Sequence, residues 1–294
     1  MSGQTQTSNR RIGIIAGWGR YPIVVTERLV EQGYQVYCLG VKDHADPILK
    51  EMCHGYQSIG LAQLGKAIRY FRRHGVRSAT MAGKIHKVIL FQRFCFLKHL
   101  PDLHAIRTFY PHYVSQTRDR KDDTMLGTIV DAFAKFGIHF APATDFIPTL
   151  LVKDGQLCGT PLSLTQRKDI EFGWNLAREM GRLDVGQSVA VKGRAVLAVE
   201  AVEGTDECIK RAGKLSEGGF TVVKTAKPQQ DMRFDVPTIG VGTLQTMVDS
   251  GATTLAIEAG KTIILDETEV IEFARSNRLT IVALDNQAIE SKAA

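Results

Sequence analysis

The stretch RIGIIAGWGRYPIVVTERLVEQGYQVYCLGV, residues 11–41, decides the fold class. RIGIIAG (11–17) is a short apolar run of strand length. YPIVVTERLVEQG follows as a helix, with Pro22 suited to the first helical turn and Gly33 to the C-terminal cap. YQVYCLGV (34–41) is strand-like again. Working outward, the same rhythm continues with a weak strand near Ile59, a helix LAQLGKAIRYFRRHG and a strand SATMAG (78–83). DDTMLGTIVDAFAKFG (122–137) puts Leu126, Ile129, Val130 and Phe133 on one helical face, ahead of a strand at IHFAPA. Strands alternating with helices across short connections predict an α/β domain with a parallel, doubly wound sheet over residues 11–148.

Around 145–162 the rhythm breaks at Pro148, Gly155, Gly159 and Pro161, so 149–162 reads as a linker and 163–290 as a second domain. Ser163 stands three residues before Gln166, the spacing of a capping box, and opens a helix running to Gly181. SVAVKG and AVLAVEAV follow as strands joined by a tight turn at KGR. A helix then starts near Thr205, and FTVVKTA is the next strand. After it come a helix over 243–250, a hairpin TTLAIEAGKTIILD (253–266), a helix over 267–277 and a last strand LTIVALD. This half is expected to be a distinct, mixed α/β domain. Residues 1–10, MSGQTQTSNR, read as a disordered polar tail with neither a signal peptide nor an anchor.

The bulk numbers bound the function. In 294 residues, 44% hydrophobic and 23% charged content suits a folded globular chain, and no run of about 18 apolar residues is present to cross a bilayer. The five cysteines (Cys38, Cys53, Cys95, Cys158, Cys208) show no CxxC spacing. That argues against zinc or a disulfide framework and for a reducing cytoplasm. A formal charge of +6 suits an anionic partner: nucleic acid, a phosphorylated metabolite or a membrane face.

Several segments carry candidate chemistry. In AGWGRYP, Gly17 and Gly19 match the first two glycines of a dinucleotide fingerprint, while Pro22 takes the third position. With Arg20 and Tyr21 they form a candidate nucleotide-binding loop, in which backbone N–H groups meet a phosphate at a helix start. The alternative is a tight strand–helix turn without a ligand. Asp122 and Asp123 either cap a helix start or, beside Arg118, Arg120 and Lys121, hold a metal next to a phosphate. In VLAVEAVEGTD (196–206), strand alternation sends Glu200 and Glu203 to opposite faces unless a bulge intervenes or Glu203 already lies in the turn, and Thr205 offers a helix N-cap. A purely structural role for both acids is the alternative. GKIHKVILFQRFCFLKHL (83–100) interleaves cations with apolar residues, as in a core helix with snorkelling cations or a lipid-contacting segment. His86 and His104 show no ligand spacing.

The strangest stretch is KTAKPQQDMRFDVPTIG (224–240), where Lys224, Lys227 and Arg233 crowd around Asp231 and Asp235. Cations that neutralise phosphate oxygens beside an acid that orients water or holds Mg²⁺ are what phosphoryl chemistry requires. A solvated loop is the alternative.

Taken together, IAGWGRYP, AGK (82–84), DDTML (122–126), AREMGRLDVGQSVAVKG (177–193), VLAVEAVEGTD and AKPQQDMRFDVPTIG resemble the UDP-2,3-diacylglucosamine pyrophosphatases of the LpxI type, from lipid A biosynthesis. The resemblance spans about residues 11–285. It implies a Rossmann-like N-terminal domain, a distinct C-terminal catalytic domain and a substrate held between them. It also implies metal-dependent hydrolysis of UDP-2,3-diacylglucosamine to UMP and 2,3-diacylglucosamine 1-phosphate (lipid X), with Mg²⁺ or another divalent cation such as Mn²⁺. The family's essential aspartate carries onto Asp235. Lys224, Lys227 and Arg233 are expected to stabilise charge, and Asp122, Asp123, Glu200 and Glu203 to join Asp235 around the metal; Asp206 matches a motif position without a role. A cytoplasmic enzyme touching the inner-membrane surface, able to form a homo-oligomer and binding no nucleic acid, fits this picture. The rival expectations are a nucleotide-sugar binding or regulatory protein and an NAD(P)-dependent oxidoreductase; Val41 and Lys42 stand where the latter would place its ribose-binding acid.

Overall fold

The computed structural model describes residues 10–85, 100–114 and 122–285. Most of the basic, aromatic 83–100 segment, with His86 and Cys95, lies outside them, as do Arg118, Arg120 and Lys121. The chain divides into two compact units, the first running to Ile147 and including Met232–Phe234.

The first unit is built on a five-stranded sheet in the order β3-β2-β1-β4-β5. Its strands are β1 (Arg11–Ala16), β2 (Gln35–Val41), β3 (Gly55–Ile59), β4 (Ser78–Ala82) and β5 (His139–Phe140). Every pairing is parallel, as the alternating sequence predicts. Ile12, Ile14 and Ala16 of the central β1 are buried on one face and Gly13 on the other, with Ile15 half-buried, as in a strand covered on both faces. Gly13 admits the Phe71 ring: a β-carbon there would sit 2.7 Å from its Cζ. Phe71, from the helix Leu64–Arg73, and Phe133, from the helix Asp122–Ala134, bring their ring centroids within 5.9 Å, and Phe133 meets Phe140 edge-on. The predicted apolar face of 122–137 therefore reaches the core through Val130 and Phe133, with Leu126 and Ile129 half-buried. A further helix, Leu103–Val114, was not anticipated from the sequence.

The second unit carries a six-stranded mixed sheet in the order β6-β13-β11-β9-β7-β8. The strands are β6 (Gly155–Cys158), β7 (Ser188–Lys192), β8 (Ala195–Val199), β9 (Phe220–Lys224), β11 (Ala252–Glu258) and β13 (Thr280–Leu284). β9, β11 and β13 run parallel at its centre; β6 on one side and β7 with β8 on the other are antiparallel. Ser163 and Gln166 form the predicted capping box, starting the helix Leu164–Arg182. That helix lays Ile170 and Trp174 against Val223, Ala256 and Val282 of the sheet. On the opposite face, Ile209, Leu244, Met247, Val270 and Ala274, from three further helices, build the larger core.

Three local expectations are corrected. The run 253–266 is no hairpin. β11 is flanked by β9 and β13, and the chain leaves it to form β12 (Ile263–Ile264), which pairs in parallel with β10 (Thr238–Ile239). A strand buried along Thr254–Glu258 wants parallel neighbours on both edges, and such neighbours arrive by crossover rather than tight turn. β6 lies inside the segment read as a linker, as an antiparallel edge on β13. Finally, the N-cap before Thr205–Leu215 is Gly204, at φ +85°, and the Thr205 side chain serves elsewhere.

Candidate active site

Parallel α/β sheets gather their ligands beyond the carboxyl ends of the strands, where loops leave a fixed scaffold. In the second unit these ends are Lys224 of β9 and Glu258 of β11, adjacent through the register Lys224–Ile257. Lys224 is buried, and its Nζ donates to Thr205 Oγ1 and to the Thr238 carbonyl, each at 3.2 Å. Thr205 Oγ1 in turn donates to Glu200 Oε1 at 3.0 Å, and Glu200 Oε2 accepts from the Gln187 amide at 3.3 Å. A buried cation and a buried carboxylate are thus joined through one hydroxyl, tying the exit of β8, a helix start, the end of β9 and β10. β8 ends at Val199, so neither Glu200 nor Glu203 lies on a regular strand, and the expected split between two sheet faces does not apply. Cys208 packs beside this network; burial, reinforced by the charge of Glu200, pushes its thiol up to about 12.

The segment from Thr225 to Pro237 is irregular, too charged for the sheet and too crowded with turn residues for a helix. It is nonetheless ordered by its own side chains. Gln230 Oε1 accepts from the Lys227 amide at 2.9 Å, and Gln230 Nε2 donates to Asp235 Oδ2 at 2.6 Å. The Asp235 amide closes a turn onto the Asp231 carbonyl at 3.1 Å. Asp235 itself is exposed, and Lys227 pairs with Asp184 at 2.7 Å. Arg233 sets its guanidinium 5.0 Å from the Phe234 ring centroid, and both residues belong with the first unit. The base of the loop rests on the Leu164–Arg182 helix at Gly181, where a β-carbon would come within 3.2 Å of Lys227 Cα and Pro228 Cδ.

In the first unit, Gly17 and Gly19 follow β1. The Gly17 amide donates to the Ala82 carbonyl and the Trp18 amide to the Lys84 carbonyl, both at 2.8 Å. A β-carbon at Gly17 would strike the Lys84 carbonyl oxygen at 2.7 Å, so this glycine is required by the close passage of AGK (82–84). Gly19, at φ +106°, has open space where its side chain would be. Arg20 pairs with Glu27 at 3.3 Å, and burial raises the Tyr21 hydroxyl above its usual range.

Comparison with known proteins carries the same division. The model of the LpxI N-terminal domain matches residues 11–150, and that of the LpxI C-terminal domain matches 153–282. The chain belongs to the LpxI family. A relative from Caulobacter vibrioides, named UDP-2,3-diacylglucosamine pyrophosphatase LpxI, is 29% identical over 286 residues, covering 95% of this chain and 99% of its own length.

Membership in the LpxI family leaves one part of the expected function to be corrected. The expectation was a metal-dependent hydrolase, but the name of the relative carries a substrate and a cleavage, not a metal requirement. Among the described residues, no three His, Cys, Asp or Glu side chains gather as a metal-holding group. Glu203 pairs with Arg211 at 2.9 Å, and Glu200 is engaged with Thr205 and Gln187. Asp122 and Asp123 open the Asp122–Ala134 helix, with side chains outside the described residues; Asp206 sits in the first turn of its own helix. Sequence reasoning also overlooked two residues, Gln230 and Glu258. An acid that ends a strand-like run, as Glu258 ends TTLAIE, was the available signal for the second; for Gln230 there was only its place in PQQD.

Proposed function

We propose that this LpxI-family chain hydrolyses the pyrophosphate of UDP-2,3-diacylglucosamine, with Asp235 as the reacting carboxylate. The observation that carries the reading is the match, along nearly the whole chain, to a relative named for that activity. Asp235 is exposed and held through one oxygen, a disposition suited to taking a proton from water. Water oxygen bonds to one phosphorus as its proton passes to Asp235. The anhydride bond breaks, and the bridging oxygen leaves with the other phosphate. The products are UMP and the diacylated glucosamine 1-phosphate. Lys227 and Arg233 supply positive charge for the phosphate oxygens, and Lys224 holds the strand end from which the loop departs.

The diacylated substrate argues for work at the cytoplasmic face of a membrane, and the +6 charge suits an anionic surface. No helix among the described residues is long and apolar enough to cross a membrane.

The deciding experiment is UMP release from UDP-2,3-diacylglucosamine by wild type and Asp235→Ala. Loss of about 10²–10³ in turnover with substrate still bound is expected, the scale of removing one transition-state contact. Near-normal turnover in the variant removes Asp235 from the chemistry. Binding by wild type without any UMP release makes the chain a nucleotide-sugar binding protein instead. Parallel reactions with Mg²⁺, with Mn²⁺ and with EDTA read out any dependence on a divalent cation.

A further inference from the structure

Glu258 is the least expected charge in the second unit. It ends the central strand β11, is 1% exposed, and belongs to none of the roles above. A buried carboxylate is costly unless its oxygens are engaged. Its Oε2 accepts from the Ala226 amide at 2.8 Å. Its Oε1 faces Lys261 Nζ at 3.1 Å and Arg178 Nη1 at 3.8 Å, ion pairs whose geometry falls short of a hydrogen bond. The carboxylate is therefore made tolerable by two cations and used at one place: the second residue past β9, where the sheet lets go of the chain.

From that point the hydrogen bonds run on without interruption. The peptide after Ala226 presents the Lys227 N–H to Gln230 Oε1 at 2.9 Å. The other end of the same amide gives Nε2 to Asp235 Oδ2 at 2.6 Å. The orientation of the Gln230 amide is fixed by its partners, because only its oxygen can accept from an N–H and only its nitrogen can donate to a carboxylate. The Lys227 carbonyl also receives the Gln230 amide at 3.0 Å, closing the turn that holds the side chain in place. One rigid strand end is thereby linked to one exposed carboxylate through short, polar steps.

We propose that Glu258 and Gln230 are positioning residues for Asp235, Glu258 fixing the root of the loop and Gln230 fixing the aspartate carboxylate. This rests on Asp235 being the reacting carboxylate. Neither side chain is asked to touch substrate. Their contribution is to hold Asp235 near its productive geometry, and a displacement on the order of 1 Å costs as much as 10²-fold in rate.

The test measures kcat and KM for UMP release from UDP-2,3-diacylglucosamine, with melting temperature and hydrogen exchange at the Ala226 amide. Gln230→Ala and Gln230→Glu are expected to lower kcat by about tenfold or more while KM stays within about threefold. Glu258→Gln keeps an acceptor for the Ala226 amide and recovers most of the turnover that Glu258→Asp, one methylene too short, loses. Glu258→Asp should also exchange the Ala226 amide faster. A Glu258→Asp variant more active than Glu258→Gln means that charge toward Lys261 and Arg178 matters rather than reach, and overturns the positioning role. Full kcat in both Gln230 variants overturns it as well, and decides the question alone should the buried Glu258 variants not fold. Asp235→Ala in the same assay separates the two failures. If it keeps wild-type turnover, the underlying reading is lost; if it is inactive while the others are active, only the relay is.

Discussion

Thr205 shows how much one hydroxyl does in this protein. It accepts from Lys224, donates to Glu200 and lies 3.2 Å from Ser188 Oγ, so charges of both signs stay buried without direct contact. Thr205→Val keeps the shape and removes the bridge. It is expected to cost about 1–3 kcal/mol in urea unfolding, the penalty for leaving buried polar groups short of a partner. An unchanged midpoint means that water replaces the hydroxyl. The thiols give a second prediction at this scale. The hydrogen bond from Cys38 lowers the Cys53 pKa, whereas Cys38 itself is raised well above its ordinary value and burial holds Cys208 at about 12. A lowered pKa means more thiolate at neutral pH, and thiolate is the reactive form. Among the described cysteines, iodoacetamide should therefore modify Cys53 first, as read by peptide mass mapping, and leave Cys208 until the chain unfolds. Early modification of Cys208 indicates instead that the Thr205–Leu215 helix opens in the native state.

At the scale of elements, the glycine loop after β1 is shaped by its partner strand as much as by any ligand. Gly83, at φ +94°, would bring a β-carbon to 2.7 Å from Pro22 Cγ and 2.8 Å from Gly17 C. Gly83→Ala must strain the backbone and separate the two loops, so a loss of about 2 kcal/mol or more is expected in thermal or denaturant unfolding. A neutral substitution shows that the 17–19 loop moves freely. The capping box at Ser163 and Gln166 is the milder counterpart. Ser163→Ala should cost about 1 kcal/mol, because the Gln166 amide loses its acceptor. These elements also show where local signals suffice. The capping box, the Pro22 helix start and the face of Val130 and Phe133 were readable because each depends on residues within a turn or two. β11 was misread as half of a hairpin because its partners, β9 and β13, lie about 30 residues away on either side.

At the scale of the molecule, the chain joins one all-parallel sheet and one mixed sheet, each closing its own core. A formal charge of +6 leads to a prediction that concerns the whole surface. Co-sedimentation with anionic vesicles should weaken steeply as salt shortens the Debye length from about 30 Å to about 3 Å. Salt-independent association points to apolar insertion instead, and no association removes the membrane from the proposal.

The sequence by itself determined the fold class, the parallel pairing of the first half and the family. Periodicity, turn residues and local motifs are written within a few positions of one another, and a chain obeys them before it folds. Only the tertiary structure decided what Glu258, Gln230, Thr205 and Glu200 do. Glu258 and Thr205 are defined by partners brought from another strand, the Ala226 amide for Glu258 and Lys224 for Thr205, 19 positions away. The partners of Gln230 within its own loop and the Thr205 hydroxyl at Glu200 are near in sequence, but only the folded backbone aims them at one another. Burial and hydrogen-bond geometry belong to the folded chain, so no spacing along the sequence records which oxygen meets which N–H.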